Sequence, residues 1–389
     1  MTSAVLLRSG LRAVTREIEP PPDLLDTVGA PRFVWQHDGG GLVADGAVAS
    51  VSPDDVTAAL AAIESDDAVH TPGTGPIAVG ALAFDPENPG ALTIPARVLG
   101  RAADGRCWST EIGPRPDAQP TAGRPPTRFT VAPVESRDEW VTSVRAALEA
   151  IAGDQLDKVV LSRAVTVDAD RPFDTHAVLT RLRAQQPGCF IYAVDGLVGA
   201  TPELLVRRTG STVESRPLAG TTAGDGTRLA SSTKDGLEHR YVVRAIERVL
   251  APRCDRLDVP DAPHVLQLAD VAHLATTIRG RLTTPAPTAL ALARLLHPTP
   301  AVGGTPTGAA LASIARLERT PRGRYAGPVG WVDGRGDGEW AVALRGAEIE
   351  GCRAVLRTGA GIVAGSDPDL EWAETEVKLD PMLRALVRV

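Results

Sequence analysis

Asp235 and Glu238 stand three residues apart in STKDGLEHRYVV, and Glu371 and Glu374 repeat that interval in EWAETEVKL. At helical spacing each pair projects from one face, and Lys378 follows one turn beyond Glu374. Two acids on one helix face are ordinarily a solvated surface. Two such pairs facing each other would instead offer the hard oxygen donors that magnesium takes, with waters or substrate oxygens completing its octahedron. Lys158 opens a largely apolar strand, and Glu203 lies between Pro202 and Leu204-Leu205-Val206. Burial would disfavour the charge on that lysine and hold that glutamate protonated, which are the states a general base and a general acid need. A surface lysine at a strand end and a capping or edge-strand glutamate are the plainer alternatives. His273, after an apolar strand, reads first as a satisfied core residue. PLAGT at 217–221, HPTPAVGGTP at 297–306 and LRTGAGIV at 356–363 are small-residue loops whose N–H groups could approach an anion closely. Taken singly, such turns are more often tight connections.

The elements that must position these groups are partly legible. Ser136-Arg137-Asp138-Glu139 is a capping box leading into Trp140, Val144, Leu148 and Ile151, a helical stripe that stops at Gly153. DKVVLSRAVTVDA follows as a strand, CFIYAVDGLVGA as a hairpin, and ELLVRRTGSTVESRPLAG as two more strands. Lys234 to Leu250 is helical by the spacing of Leu237, Val242, Ile246, Val249 and Leu250. A strand-rich block runs from Tyr325 to Ile362, and a closing helix starts near Pro368 with Ser366 as its expected cap. Residues 1–108 mix short strands such as RFVWQ and PIAVGALAF with one helix-like segment, PDDVTAALAAIESDD, in which Pro53 and its following acids suit a helix start. Residues 109–130 contain a Pro/Gly-rich stretch that reads as an exposed loop. Strand meanders with helices between them predict an α+β protein.

Composition narrows the function. Lys plus Arg is 41 and Asp plus Glu is 48, a net charge of −7, so the chain has no global attraction for nucleic acid or an anionic membrane. An anionic substrate would need positive charge supplied locally. The four cysteines are widely spaced and form no CxxC pair, which argues against zinc and for reduced thiols in a cytoplasmic protein. No apolar run is long enough for a signal-peptide core or a bilayer span.

From Ser136 to the C-terminus, ten segments in order resemble the chorismate-utilising enzymes, the family of isochorismate synthase, salicylate synthase, anthranilate synthase component I and aminodeoxychorismate synthase. They are KVVLSR, TPELLVRR, RPLAGT, STKDGLEHRYVV, VAHLATTIRGRL, HPTPAVGG, RGRYAGPVGW, AVALRGAEI, LRTGAGIV and EWAETEVKL. The resemblance implies one domain over 1–389, with antiparallel sheets forming a sandwich around a buried site and helices outside. Residues 131–389 would carry the family core, with 1–108 adding strands and helices to it.

Three positions choose among the members. The family's water-using synthases resemble this chain at Lys158, where anthranilate synthases carry Gln. Ala219 stands where aminodeoxychorismate synthases place a nucleophilic Lys. Ala301 matches isochorismate synthases, where salicylate synthases have Thr. The resemblance therefore implies an isochorismate synthase acting on chorismate, with salicylate synthase and a non-catalytic Mg²⁺- or anion-binding relative as the competing readings.

It further implies Lys158 as base, Glu203 as acid, and Mg²⁺ held by Glu238 and Glu374, with Asp235 and Glu371 in its immediate or water-mediated shell. Arg345, Tyr325 and the backbone of Gly359, Ala360 and Gly361 would take the enolpyruvyl carboxylate. Gly220, Thr221, His273, Ala301 and Lys378 would complete the substrate site. Such an enzyme needs no amidotransferase subunit and is expected to be a cytoplasmic monomer. Its product would feed menaquinone, siderophore or salicylate synthesis.

Overall fold

The computed structural model describes residues 10–27, 31–113, 124–223, 226, 229, 232–269 and 271–387, excepting the side chains at 221, 223, 233 and 234. Most of the Pro/Gly-rich stretch therefore lies outside the described residues. The expected α+β architecture is present, with one 13-stranded sheet, one of nine strands and one of three among the described residues.

The large sheet is built on a long antiparallel pair, Lys158–Ala169 against Arg353–Val363, in register from Lys158↔Val363 to Asp168↔Arg353. It continues through Gly346–Glu350, Leu197–Thr201 and Phe190–Val194, then into N-terminal strands beginning with Phe33–His37 and Gly40–Asp45. The second sheet does the same, since Pro328–Asp333 pairs with Ile77–Ala81. The N-terminal strands thus extend both sheets of the family core.

Alternation explains how the sheets stack. Successive side chains of a strand point to opposite faces. Phe190, Tyr192 and Val194 pack with Phe33, Trp35, Val79, Val329 and Trp331 between the two sheets. Ile191 and Ala193 point outward, onto Leu179 and Leu182 of helix Thr175–Gln185 and Leu379 and Met382 of helix Pro368–Leu386. The predicted hairpin turns at Asp195 and Gly196, both at positive φ, which suits a two-residue connection.

The capping box is formed as expected. Ser136 Oγ accepts from Glu139 N, the Glu139 carboxylate accepts from Ser136 N, and helix Arg137–Ala152 ends at Gly153. Two local expectations fail. The closing helix is capped by Asp367, whose carboxylate accepts from Asp369 N and Leu370 N, while Ser366 Oγ accepts from Val363 N instead. The N-terminal helix spans only Val56–Ala61, and Glu64–Asp67 is a strand parallel to Arg12–Ile18. Sheet pairing there overrides a weak helical preference.

Candidate active site

The two acid-bearing helices converge on one cavity. Thr233–Leu250 and Pro368–Leu386 deliver Glu238 and Glu374 to the same cavity, which encloses about 800 Å³ of atom-free space partly open to solvent. Glu203, Gly220, His273, Ala301, Tyr325, Arg345, Gly359, Gly361 and Lys378 also line it. These residues, scattered in sequence from Glu203 to Lys378, are brought together by the end of the long strand pair, the loop after Thr201 and the small sheet carrying Gly220 and His273.

Lys158 is fully buried, with Nζ 2.8 Å from Glu238 Oε1. Lys158 is not itself in the cavity lining and contacts it through Glu238. Glu203 is 4% exposed, and burial pushes its carboxyl up to about 8 even though Lys158, the Leu218 backbone and Lys378 oppose the shift. At neutral pH it carries a proton, as an acid must.

His273 has an assignable state. Its Nδ1–H donates to Gly220 O at 3.0 Å, and its Nε2 faces the Arg345 guanidinium, which only an unprotonated nitrogen can accept. Burial, with Arg345 and Lys378 nearby, holds its pKa well below the usual value. A neutral imidazole accepting from Arg345 orients that arginine. Gly220 sits at φ +71°, and a Cβ there would come within 2.9 Å of Asp235 Cβ, so the close approach of these segments depends on glycine.

Lys378 Nζ donates to Glu374 Oε1 at 2.6 Å and to Gly359 O at 3.1 Å. Burial works against its charge, but Glu374, Tyr325 and Glu238 together outweigh burial and the pKa is raised. Burial also raises the Tyr325 phenol, which therefore remains a hydroxyl donor.

The glycine backbone is more selective than expected. Gly359 O accepts from Lys378, and Val160 N, opposite Gly361, donates to Gly303 O. Peptide groups at 359 and 361 therefore face away from the lysine strand, while those of Ala360 face into the ladder with Leu161. Ala360 is not in the lining, and its methyl lies in the hydrophobic core. Ala360 therefore does not face the cavity. Asp235 and Glu371 do not line the cavity either, Glu371 being 3% exposed on its helix, and the Thr221 side chain lies outside the described residues.

The cavity offers a hard dication two carboxylates from separate helices, with room for waters and substrate oxygens. Among the described residues no three His, Cys, Asp or Glu side chains group closely enough to hold an ion by themselves. The donor set fits magnesium, which seldom takes an all-protein shell.

A Cβ on Gly361 would stand 2.5 Å from Glu238 Oε1 and 3.2 Å from Lys158 Cε. Gly361→Ala is expected to displace Glu238 and lower kcat roughly tenfold or more, as sub-ångström misplacement at a reacting centre does. Steady-state kinetics on the folded variant check this; unchanged turnover would mean the pair tolerates a methyl group.

Arg322 and Arg357 also line the cavity, although no role was expected of them. Both lie in segments already singled out, RGRYAGPVGW and LRTGAGIV, but loop and strand arginines carry no periodic signal that marks them as inward. With Arg345 and Lys378 they answer the need for local positive charge in an acidic chain.

This chain belongs to the chorismate-binding enzymes, whose family pattern it matches over residues 109–387. It is 42% identical over 356 residues to the MenF protein of Mycobacterium tuberculosis, covering 85% of this chain and 90% of that one. To the isochorismate synthase EntC of Escherichia coli it is 38% identical over 322 residues, covering 79% and 80%. The solved structure of MenF, the menaquinone-specific isochorismate synthase of Escherichia coli, superposes with a TM-score of 0.82 at 28% identity, covering 98% of this chain and 95% of that one. Among the described residues no helix is long and apolar enough to cross a membrane.

Proposed function

We propose that this protein is an isochorismate synthase, interconverting chorismate and isochorismate with Lys158 as general base and Glu203 as general acid. The carrying observation is a buried carboxyl, Glu203, held protonated near neutral pH in a cavity lined with cations, with buried Lys158 paired to the cavity residue Glu238. Water is a poor nucleophile and hydroxide a poor leaving group, so addition at C2 with loss from C4 needs both groups. Lys158 takes the proton from the attacking water as its oxygen bonds to C2, which it can do only in its neutral form, so the ammonium paired with Glu238 must first release its proton. The ring double bonds shift, the C4–O bond breaks, and Glu203 supplies the proton that lets the oxygen leave as water. One water enters and one departs, so substrate and product are isomers.

Arg345, held by neutral His273, suits bidentate binding of the enolpyruvyl carboxylate, with Tyr325 and the cavity-facing N–H groups of Gly359 and Gly361 beside it. Glu238 and Glu374 would hold Mg²⁺, with Asp235 and Glu371 reached through water. The ion would take the ring carboxylate and draw electron density from the ring. Ala219 and Ala301 suit water as nucleophile and arrest at the first product, a chemistry that calls for no amidotransferase subunit, and the proposed enzyme is a cytoplasmic monomer. Incubation with chorismate and Mg²⁺, followed by product separation, is expected to give isochorismate, and chelation should abolish it. Salicylate with pyruvate as enzymatic products would overturn this reading, and so would chorismate binding with no turnover.

A further inference from the structure

The lysine strand has an edge that no strand covers. Next to Lys158 its outer edge is paired by Gly304–Thr305, and Val160 N donates to Gly303 O. Further along, Ala164 O accepts from Val134 N, where strand Phe129–Pro133 takes over. Between these points Val160 O and Ser162 N face outward without a backbone partner, and a buried strand edge cannot be left unsatisfied. Two side chains fill the gap. Arg322 Nη2 donates to Val160 O at 2.8 Å, and Glu318 Oε1 accepts from Ser162 N at 2.7 Å.

Arg322 and Glu318 pair with each other, their side chains only 2% and 5% exposed. Arg322 Nε and Nη2 both donate to Glu318, while Nη1 donates to Val302 O at 2.7 Å. Four of the five guanidinium N–H groups are thereby fixed in one plane, which lies over the Phe84 ring at 4.1 Å from its centroid. Val160 is two residues from Lys158, and Val302 adjoins Ala301.

We propose that Arg322, locked by Glu318, is a positioning residue that clamps the Lys158 strand to the turn carrying Ala301 and so sets the alignment of base and substrate. Its planar fork bridges two carbonyls on different segments while holding a carboxylate, which a lysine ammonium on a flexible stem cannot reproduce. The inference rests on the isochorismate synthase reading, and it concerns rate more than affinity.

The test is Arg322→Lys, with Phe84→Leu as a milder variant that removes the ring beneath the guanidinium together with its edge contact to His297. Isochorismate formation from chorismate at saturating Mg²⁺ is measured alongside thermal melting. Arg322→Lys should lower kcat roughly tenfold to a hundredfold with KM for chorismate changed less than about threefold, and Phe84→Leu should lower kcat by a smaller factor in the same pattern. If Arg322→Lys does not fold, Phe84→Leu decides by the same split. Normal kcat in the variants would overturn the proposal. A large rise in KM at unchanged kcat would overturn it too, by making Arg322 a substrate ligand. Failure of the parent enzyme to make isochorismate would instead defeat the underlying reading.

Discussion

Lys158→Met is expected to lose turnover by roughly 10²- to 10⁴-fold, the span a positioned general base contributes, while still binding chorismate. Methionine nearly fills the lysine's volume, so the variant removes the amine without opening a large void. Lys158→Ala would lose the same chemistry, but it would add a cavity in a fully buried position. Both changes take from Glu238 the ammonium now 2.8 Å away, which costs stability because that carboxylate is only 14% exposed. Rates must therefore be compared on protein shown to be folded by its melting transition. Near-normal isochorismate formation in Lys158→Met would remove this residue from the mechanism.

Glu203→Gln should produce a comparable loss of kcat, roughly 10²- to 10⁴-fold, because glutamine cannot surrender a proton to the departing oxygen. It also carries an opposite expectation for stability. The folded-state pKa near 8 lies above the ordinary value of 4.5, so the native state holds its proton after the unfolded chain has lost it. The associated stability is complete below about pH 4.5 and is lost progressively as pH rises toward 8. Glutamine has no such proton to lose. Between pH 7 and 9 the variant should melt higher than the parent, by at least about 1 kcal/mol, since a tenfold difference in proton affinity between folded and unfolded chain is worth about 1.4 kcal/mol. In the parent, kcat/KM should fall as pH rises through about 8, where the free enzyme's acid ionises. A parent profile flat to pH 9.5, or a Glu203→Gln protein that is less stable at pH 8, would sink the acid assignment.

Local signals in the sequence translated well into structure. The Ser136 capping box, the Asp195-Gly196 hairpin and the strand opening at Lys158 each depend on neighbours a few residues away, and each is where the pattern put it. One local signal misled by a single residue, since Asp367 and not Ser366 caps the closing helix, and the other failure depended on a distant partner. Glu64–Asp67 is a strand because Arg12–Ile18 lies beside it, with Arg12 pairing to Glu64 and Asp66. In the candidate site, helical spacing correctly put Lys378 on Glu374, an i,i+4 contact. Spacing could not say that Glu238 would meet Lys158, 80 residues away in sequence and on another element. Nor could it tell the cavity-facing N–H groups of Gly359 and Gly361 from the ladder-bound Ala360, because that depends on the parity of the register with Leu161. Arg322 escaped notice for a similar reason. Its partners are backbone carbonyls at 160 and 302, which leave no mark in the sequence.

The placement of the N-terminal strands bears on how this protein can be handled. Phe33–His37 covers the flank of Phe190–Val194, and Ile77–Ala81 covers that of Pro328–Asp333. All twenty-one of these residues are buried except His37. A fragment cut at residue 109, where the family pattern begins, would retain every proposed catalytic group yet bare two greasy sheet margins with unpaired N–H and C=O groups. Such margins recruit other chains. The shortest stretch that carries the chemistry is therefore longer than the stretch that carries the motifs, and trimming to the motifs would yield inclusion bodies instead of a minimal enzyme.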